Sequence, residues 1–354
     1  DGRIRAIIDR VIPEIDSGRF AVKRVVGDTM NVEAHVFTDG HDVPRAMLRW
    51  RPEASPDWLE VPMRPRGNDL WCASFQPPAP GRYRYTVVAW VDGFESWHHE
   101  LERRIEAEDI RVAARVGAEL VDAASARARG ADRKALSGWA QRLRSDGKKA
   151  SSDAPALKAC ALDAELTELA RKYPDRSREA IWPMEMPLVA DRERARYSTW
   201  YELFPRSAAE VAGVHGTFRD VEARLPYVAE LGFDVLYFPP IHPIGREKRK
   251  GPNNTLTPGP EDVGSPWAIG AAEGGHKAVH PQLGTLEDFR RFVQHAQQDY
   301  GLEVALDIAF QCSPDHPYVK EHPQWFRWRP DGTVQYAENP PKKYQDIYPF
   351  NFET

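Results

Sequence analysis

The second half of the sequence alternates between short apolar runs and helical patterns, and this alternation limits the possible folds more than any other feature. Apolar runs at 199–204, 233–238 and 303–310 predict strands, and the segments after the first two carry helical periods. Such runs fit parallel strands that are buried on both faces. We therefore predict that residues 183–354 form the first part of a (β/α)8 TIM barrel, truncated after its third strand. A doubly wound sheet is the alternative, but no glycine-rich phosphate loop follows the first run.

The first part of the chain has a different pattern, in which short alternating runs are separated by turn residues. Residues 31–37 alternate before Thr38-Asp39-Gly40, and residues 82–91 do so before Asp92-Gly93. Strands at this spacing, with no helical period between them, predict an all-β sandwich over residues 1–104. Such a module either binds glycan or is a structural appendage, and the pattern leaves both open.

A helical period begins near Ile105 and predicts a helical insert over residues 105–182. Apolar residues recur at three- and four-residue steps through 110–124, around 136–143 and through 162–173. The apolar stripes are narrow and rich in alanine. These helices therefore pack either on each other or on a partner subunit, which makes the insert a candidate dimerisation element.

Composition and charge exclude several classes of partner. The 354 residues suffice for about two or three domains, and the formal net charge of −5 comes from charges of both signs spread along the chain, so we expect no nucleic acid partner. No run approaches the roughly 18 apolar residues of a membrane span, and the first residues lack the apolar stretch of a signal peptide. Three widely spaced cysteines fit a reducing compartment. We therefore expect a cytoplasmic protein with no membrane partner.

The stretch at 241–280 runs for about forty residues without a regular pattern, and long loops in compact domains are usually functional or disordered. It carries a cationic cluster at 246–250 and the neighbouring amides Asn253 and Asn254. Lysine supplies a point charge and asparagine both a donor and an acceptor, so this loop is suited to an anion or a polyhydroxylated ligand, with a solvated charge run as the alternative. Nearby histidines lack the spacing of a zinc site, and we predict no metal. These histidines are His242, His276, His280 and His316.

Two further groups of polar residues follow the third predicted strand. Asp307 and Gln311 lie at the strand's end, where barrel enzymes place substrate contacts. The pair either orients the hydroxyls of a sugar or is a structural hydrogen-bond pair. Asn339, Lys342, Lys343 and Tyr344 lie farther along the chain. All four can donate to phosphate oxygens, which predicts a phosphate-binding stretch.

Five motifs of this half stand out: Tyr201-Glu202-Leu203-Phe204-Pro205-Arg206-Ser207, Arg249-Lys250-Gly251-Pro252-Asn253-Asn254, Trp267-Ala268-Ile269-Gly270, Gln311-Cys312-Ser313-Pro314-Asp315-His316-Pro317 and Asn339-Pro340-Pro341-Lys342-Lys343-Tyr344-Gln345-Asp346. Together they resemble the alpha-1,4-glucan:maltose-1-phosphate maltosyltransferase family of the α-amylase clan. The resemblance implies a bacterial cytoplasmic transferase that moves maltosyl units from α-maltose 1-phosphate to the non-reducing ends of α-1,4-glucans, releasing phosphate without any cofactor. It also implies a homodimer, because that family carries a dimer-forming insert where the helical insert falls.

The same resemblance implies roles for seven positions of a donor site. The family positions that match Lys250, Gln311 and Asp346 contact the maltosyl part of the donor. The remaining four are a further donor-pocket position and the stretch beside the phosphate, namely Asn254, Asn339, Lys342 and Tyr344.

The resemblance places the catalytic carboxylates elsewhere. Retaining transfer needs two carboxyl groups roughly 5 Å apart, and the family implies an aspartate nucleophile, a glutamate acid/base and a stabilising aspartate, all beyond Thr354. We therefore expect no turnover from these 354 residues alone. The alternatives are a phosphate-independent amylase or branching-type enzyme, and a non-catalytic glycan-binding or dimerisation fragment. Gln311-Cys312 argues against the first, because most members of the clan have Asn-His at these positions.

Overall fold

The computed structural model describes residues 2–148 and 153–353, and the chain divides into two compact units, Asp1–Arg196 and Tyr197–Thr354. Both units combine strands and helices. Among the described residues, no helix is long and apolar enough to cross a membrane.

Two sheets of the first unit pack on one apolar core. Its strands are β1 (Ile7–Ile12), β2 (Val22–Val25), β3 (Met30–Phe37), β4 (Pro44–Pro52), β5 (Leu59–Pro62), β6 (Arg64–Gly67), β7 (Leu70–Phe75), β8 (Gly81–Val91), β9 (Ala180–Ile181) and β10 (Met186–Asp191). One sheet has the order β1-β3-β7-β6 and the other β2-β10-β8-β4-β5, with β9 beside β8. The shared core takes Met30 and Val32 from the first sheet and Leu48 and Tyr85 from the second. The alternating burial along β3 follows from this arrangement, because every second side chain enters the core.

The helices of the first unit build a second apolar core. They are α1 (Gly93–Arg103), α2 (Ala107–Arg127), α3 (Gly130–Lys148), α4 (Ala154–Ala161) and α5 (Ala164–Arg171). Trp97, Val121, Leu143 and Leu166 meet in that core. The indole N–H of Trp97 donates to the Ala113 carbonyl at 2.8 Å, which fixes α1 against α2.

Two helices differ from the sequence prediction. Helix α1 begins at Gly93, inside the stretch expected to be all-β, because the Asp92 carboxylate caps its first turn by accepting from the Phe94 and Glu95 N–H groups. The pattern at 162–173 corresponds to α5, whose first turn is capped by the Asp163 carboxylate, whereas the separate helix α4 before it was not predicted. The sequence period alone therefore missed the start of α1 and the whole of α4.

Strand β10 ties the end of the first unit to its beginning. Leu188 lies opposite Val22 of β2 in parallel register and opposite Tyr83 of β8 in antiparallel register. The first unit therefore continues to Arg196, whereas the sequence placed a boundary after residue 182. The division into three domains stays a prediction.

The second unit contains a three-stranded parallel sheet with the order β11-β12-β13. The elements of this unit are β11 (Trp200–Glu202), α6 (Phe218–Glu222), α7 (Leu225–Glu230), β12 (Val235–Phe238), α8 (Leu286–Tyr300), β13 (Glu303–Leu306), β14 (Gln311–Cys312), α9 (Pro317–Glu321), β15 (Ala337–Asn339), β16 (Lys342–Tyr344) and β17 (Tyr348–Pro349). The three expected parallel strands are present, and closure into a (β/α)8 barrel stays a prediction.

Two elements of this unit are shorter than predicted. Strand β13 ends at Leu306, and the side chains of Ile308 and Phe310, expected inside it, are 69% and 67% exposed. The helix expected from Phe218 onward is broken into α6 and α7, and Pro226 sits in the first turn of the second piece. Proline lacks the N–H that a continuous helix needs at that point.

Helix α8 begins where the sequence predicts. Thr285 and Asp288 form a capping box in which each side chain accepts from the other's backbone N–H. Phe292 then packs its ring 5.3 Å from that of Phe238 on β12. This contact holds the helix against the sheet whose strand ends carry the candidate site.

Candidate functional site

A cavity of about 420 Å³ opens beside the long loop at 241–280. As predicted, this loop has little regular structure, apart from a short helical turn at Pro252–Asn254. Asn253 and Asn254 adopt left-handed backbone angles there, with φ of 55° and 63°. The walls are formed by Phe204, Arg206, Lys250, Gly251, Pro252, Asn253, Asn254, Asp262, Val263, Gly264, Ser265, Pro266 and Trp267. The cavity thus brings together the predicted site residues Lys250 and Asn254.

Three cations of the predicted cluster bind the protein itself. Arg246 pairs with Glu273. The guanidinium of Arg249 donates to the carbonyls of Gly245, Ile244 and Asp262 at 2.8, 3.0 and 2.9 Å. Lys248 Nζ donates to the Tyr348 hydroxyl at 3.3 Å. These bonds hold the loop in shape, while Arg246 and Lys248 remain exposed to solvent, so both predicted alternatives, a ligand-binding cluster and a solvated charge run, stay predictions.

Lys250, the fourth cation, is buried beside Asp346. It is 6% exposed, and its Nζ donates to the Gln345 Oε1 at 2.7 Å. Asp346 is 2% exposed, and its Oδ1 has no hydrogen-bond partner among the residues that the structure describes. Burial raises the pKa of Asp346, while the nearby Lys250 charge acts in the opposite direction. A buried acceptor without a donor is suited to a ligand that brings a hydroxyl or N–H group.

Asp307 and Gln311 are connected through Trp267. The indole N–H of Trp267 donates to Asp307 Oδ2 at 2.7 Å, and the Gln311 Nε2 lies 3.5 Å from the Trp267 carbonyl. Burial and a hydrogen bond to Asp307 raise the pKa of Tyr237. Asp307 is therefore engaged by protein donors, which favours its structural alternative. Gln311 is half-buried and touches a residue of the cavity wall.

Asn339, Lys342 and Tyr344 lie on a hairpin outside the residues that line this cavity. Asn339 on β15 lies directly opposite Lys342 on β16, and Tyr344 lies two residues farther along β16. Opposed residues and residues two apart share one face of an antiparallel pair. Asn339, Lys342 and Tyr344 therefore share a face, whereas Lys343, the fourth predicted donor, lies on the other face. Asn339 and Lys342 are exposed, and Tyr344 is half-buried.

Sequence patterns missed the partner of Lys250 and the role of the histidines. Gln345 stands directly before Asp346, but no spacing rule pairs it with a lysine 95 positions away. His242, His276 and His316 bond to protein groups. Within the described part of the chain, no group of three or more His, Cys, Asp or Glu side chains is arranged to hold a metal ion.

Comparisons of the sequence with a family model and with curated proteins point to one family. A sequence model described as "Alpha-1,4-glucan:maltose-1-phosphate maltosyltransferase, domain N/S" matches residues 4–192. A protein of that name from Chlorobaculum tepidum is 53% identical over 100% of this chain and 52% of the relative. One from Myxococcus xanthus is 55% identical over 98% of this chain and 52% of the relative. The chain thus spans about half the length of these curated relatives. A solved α-amylase from Lactobacillus plantarum is 32% identical over 44% of this chain and 32% of the amylase chain, with a TM-score of 0.36.

Proposed function

Since the chain belongs to the alpha-1,4-glucan:maltose-1-phosphate maltosyltransferase family, we propose a reaction for the full natural chain, meaning the complete protein that contains these 354 residues. It transfers maltosyl units from α-maltose 1-phosphate to α-1,4-glucans. The acceptor is the non-reducing end of the glucan, and phosphate is released. The names of relatives that match over nearly the whole chain support this reaction. No cofactor takes part in the proposed chemistry.

The buried pair Lys250 and Asp346 is the observation that carries the proposal. Sugar hydroxyls both donate and accept; here a buried ammonium acts electrostatically on a buried aspartate whose Oδ1 lacks a donor among the described residues. We assign these two residues and Gln311 to the maltosyl part of the donor. Asn254 completes the pocket on the cavity wall. The cavity volume of about 420 Å³ is in the range of small-ligand sites.

The hairpin residues Asn339, Lys342 and Tyr344 are assigned to the donor's phosphate. Their side chains share one face and offer an amide N–H, an ammonium and a hydroxyl. All three groups donate to anionic oxygens, and bonds to a charged acceptor are stronger than neutral ones. Such donors stabilise the negative charge that grows on the leaving phosphate as the glycosidic bond breaks.

The proposed mechanism is a retaining double displacement. It needs a carboxylate nucleophile and an acid/base carboxyl group roughly 5 Å apart. We assign the nucleophilic aspartate, the glutamate acid/base and a stabilising aspartate to the part of the natural chain that follows Thr354. The relatives' greater length leaves room for these groups. The 354 residues alone are therefore proposed to be inactive.

The same reasoning extends to architecture and assembly. We propose that the parallel sheet of the second unit is the first part of a (β/α)8 barrel, as its strand order β11-β12-β13 allows. A homodimer formed through the helices is supported by Val112 and Val116, which lie one turn apart on α2 and are 43% and 46% exposed. We place the enzyme in the cytoplasm.

Product analysis tests the reaction. The full natural chain is incubated with α-maltose 1-phosphate and a defined maltooligosaccharide, and the products are measured by mass spectrometry. Products that grow by two glucose units per step support maltosyl transfer. Growth by single glucose units, or shortening of the acceptor with no use of the donor, would refute it.

A further inference from the structure

Two histidines of the second unit, the half-buried His276 and the buried His316, form a directed hydrogen-bond chain. His316 is 1% exposed, and its Nδ1 accepts from the Tyr318 backbone N–H at 3.0 Å. Its Nε2 lies 3.2 Å from the Nδ1 of His276. The Nε2 of His276 lies 2.9 Å from the Ala309 carbonyl oxygen.

The end groups of this chain fix where each proton sits. Because His316 Nδ1 accepts from a backbone N–H, the hydrogen of a neutral ring is on Nε2, which donates to His276. His276 Nδ1 then accepts, and its own Nε2–H donates to the Ala309 carbonyl. This arrangement places hydrogen on Nε2 of both rings. Burial, followed by the neighbouring His276 and His242, lowers the pKa of His316 to about 4, in keeping with a neutral ring.

His276 thereby holds one segment at both of its ends. The segment runs from Ala309 to His316, and His276 bonds to the carbonyl of the first residue and to the ring of the last. Gln311 lies between these two anchors, two residues after Ala309. A residue on the long loop at 241–280 therefore sets the position of the segment after β13.

Gly270 and Gly275 allow the long loop to pack closely against the His316 imidazole. A Cβ added at Gly270 or at Gly275 would collide with the His316 imidazole. The Ser313 N–H also donates to the Ile269 carbonyl at 2.7 Å, and its hydroxyl donates to the Gly270 carbonyl at 2.5 Å. The packing leaves the imidazole little room to turn or shift.

We propose that His276 and His316 are positioning residues that hold Gln311 in the place where it binds the sugar part of the donor. This inference rests on the proposed function, because Gln311 is a donor contact only in a maltosyltransferase site. Neither histidine lines the cavity beside Lys250 and Asn254, and the ring nitrogens of both bond to protein groups. A purely structural role for the chain would affect folding without a selective effect on donor binding.

The kinetic test uses two variants of the full natural chain. Each removes the hydrogen bond between His276 and His316 by replacing one of the two histidines. His316→Asn keeps an acceptor near Nδ1 for Tyr318 but has no group to replace Nε2, and His276→Gln keeps a donor for Ala309 but loses Nδ1. We expect each variant to raise KM for α-maltose 1-phosphate about tenfold, the loss expected for one hydrogen bond, with kcat changed less than about threefold. His295→Asn, a partly exposed histidine on α8, is the matched control and leaves both constants unchanged.

The double variant separates a shared bond from two independent effects. If both histidines act through their common hydrogen bond, the double variant has about the same KM as either single one. Unchanged KM in both single variants, or a double effect near the product of the two, overturns the proposal. Loss of kcat alone would also overturn it.

Neutron diffraction from wild-type crystals tests the hydrogen-bond chain without any substitution. We expect hydrogen on Nε2 of both His276 and His316, and hydrogen on Nδ1 of His316 overturns the proposal even if a variant fails to fold. If the wild-type protein releases no phosphate from α-maltose 1-phosphate, the proposed function is wrong. The diffraction result then still decides whether the hydrogen-bond chain from His316 to Ala309 has the proposed direction.

Discussion

The ammonium group of Lys250 donates to the side-chain oxygen of Gln345 at 2.7 Å, although the two residues are 95 positions apart. This bond joins the long loop at 241–280 to the segment that carries Asp346. Lys250 is 6% exposed, so the bond is made largely out of contact with water. It sets the orientation of the ammonium group.

Replacing this lysine should damage donor use. In the full natural chain, Lys250→Met keeps much of the side-chain length but removes the donor and leaves Gln345 unpaired. We expect kcat/KM for α-maltose 1-phosphate to fall roughly ten- to hundredfold, the loss expected for a charged hydrogen bond. Steady-state phosphate release measures it. Lys277→Met, an exposed lysine of the same loop, is the control and should behave as wild type.

Asp346→Asn should stabilise the protein while it impairs activity. Because the pKa of Asp346 is raised in the folded state, its contribution to stability is full below the unfolded value of 3.8 and is lost as pH rises through the folded pKa. The amide removes that loss, so we expect a gain on the order of 1 kcal/mol near pH 7. Thermal midpoints of both proteins at pH 5 and pH 8 measure it. A variant less stable than wild type at pH 8 would contradict the assignment.

The hairpin offers a matched pair of lysines. Lys342 shares a face with Asn339 and Tyr344, whereas Lys343 lies on the other face of β16. We expect Lys342→Ala to lower kcat/KM for α-maltose 1-phosphate roughly tenfold or more, because a donor to the phosphate is lost. Lys343→Ala should have little effect. Equal effects of the two substitutions would show that this face does not bind the phosphate.

We expect low pH to lower the thermal stability of the first unit because the Glu60 carboxylate becomes protonated. Its carboxylate accepts from Arg176 and Arg49, and these bonds lower the pKa of Glu60 from 4.5 to about 2. The stabilisation is therefore complete above pH 4.5 and is lost as pH falls towards 2. Glu60→Gln should flatten the acid dependence of the thermal midpoint over this range. Asp57→Asn, an exposed carboxylate nearby, should leave the dependence as in wild type.

Local signals predicted much of the fold, and contacts distant in sequence explain most of the rest. Thr285 with Asp288 marks the start of α8 because a capping box lies within four residues. The start of α1 at Gly93 was missed although Asp92 is a good cap, since the preceding strand pattern dominated. Exposed Phe310 looked like strand because apolarity was taken for burial.

The candidate site shows the same division. Family motifs singled out Lys250 and Gln311, and the length of the loop at 241–280 indicated a functional or disordered segment, but the cavity beside it was not predicted. The bond from Lys250 to Gln345 and the hydrogen-bond chain from His316 to Ala309 through His276 depend on tertiary packing. No periodicity or short motif encodes such pairs, so sequence patterns could not predict them.

The initial rate of phosphate release from α-maltose 1-phosphate is the most direct test of the proposed function. The full natural chain is assayed with and without a maltooligosaccharide acceptor. We expect rapid release that depends on the acceptor, and an acceptor that lengthens by one maltosyl unit for each phosphate. Hydrolysis of α-1,4-glucan without a phosphorylated donor, together with no phosphate release, would contradict the assignment of a maltosyl donor site to Lys250, Gln311 and Asp346.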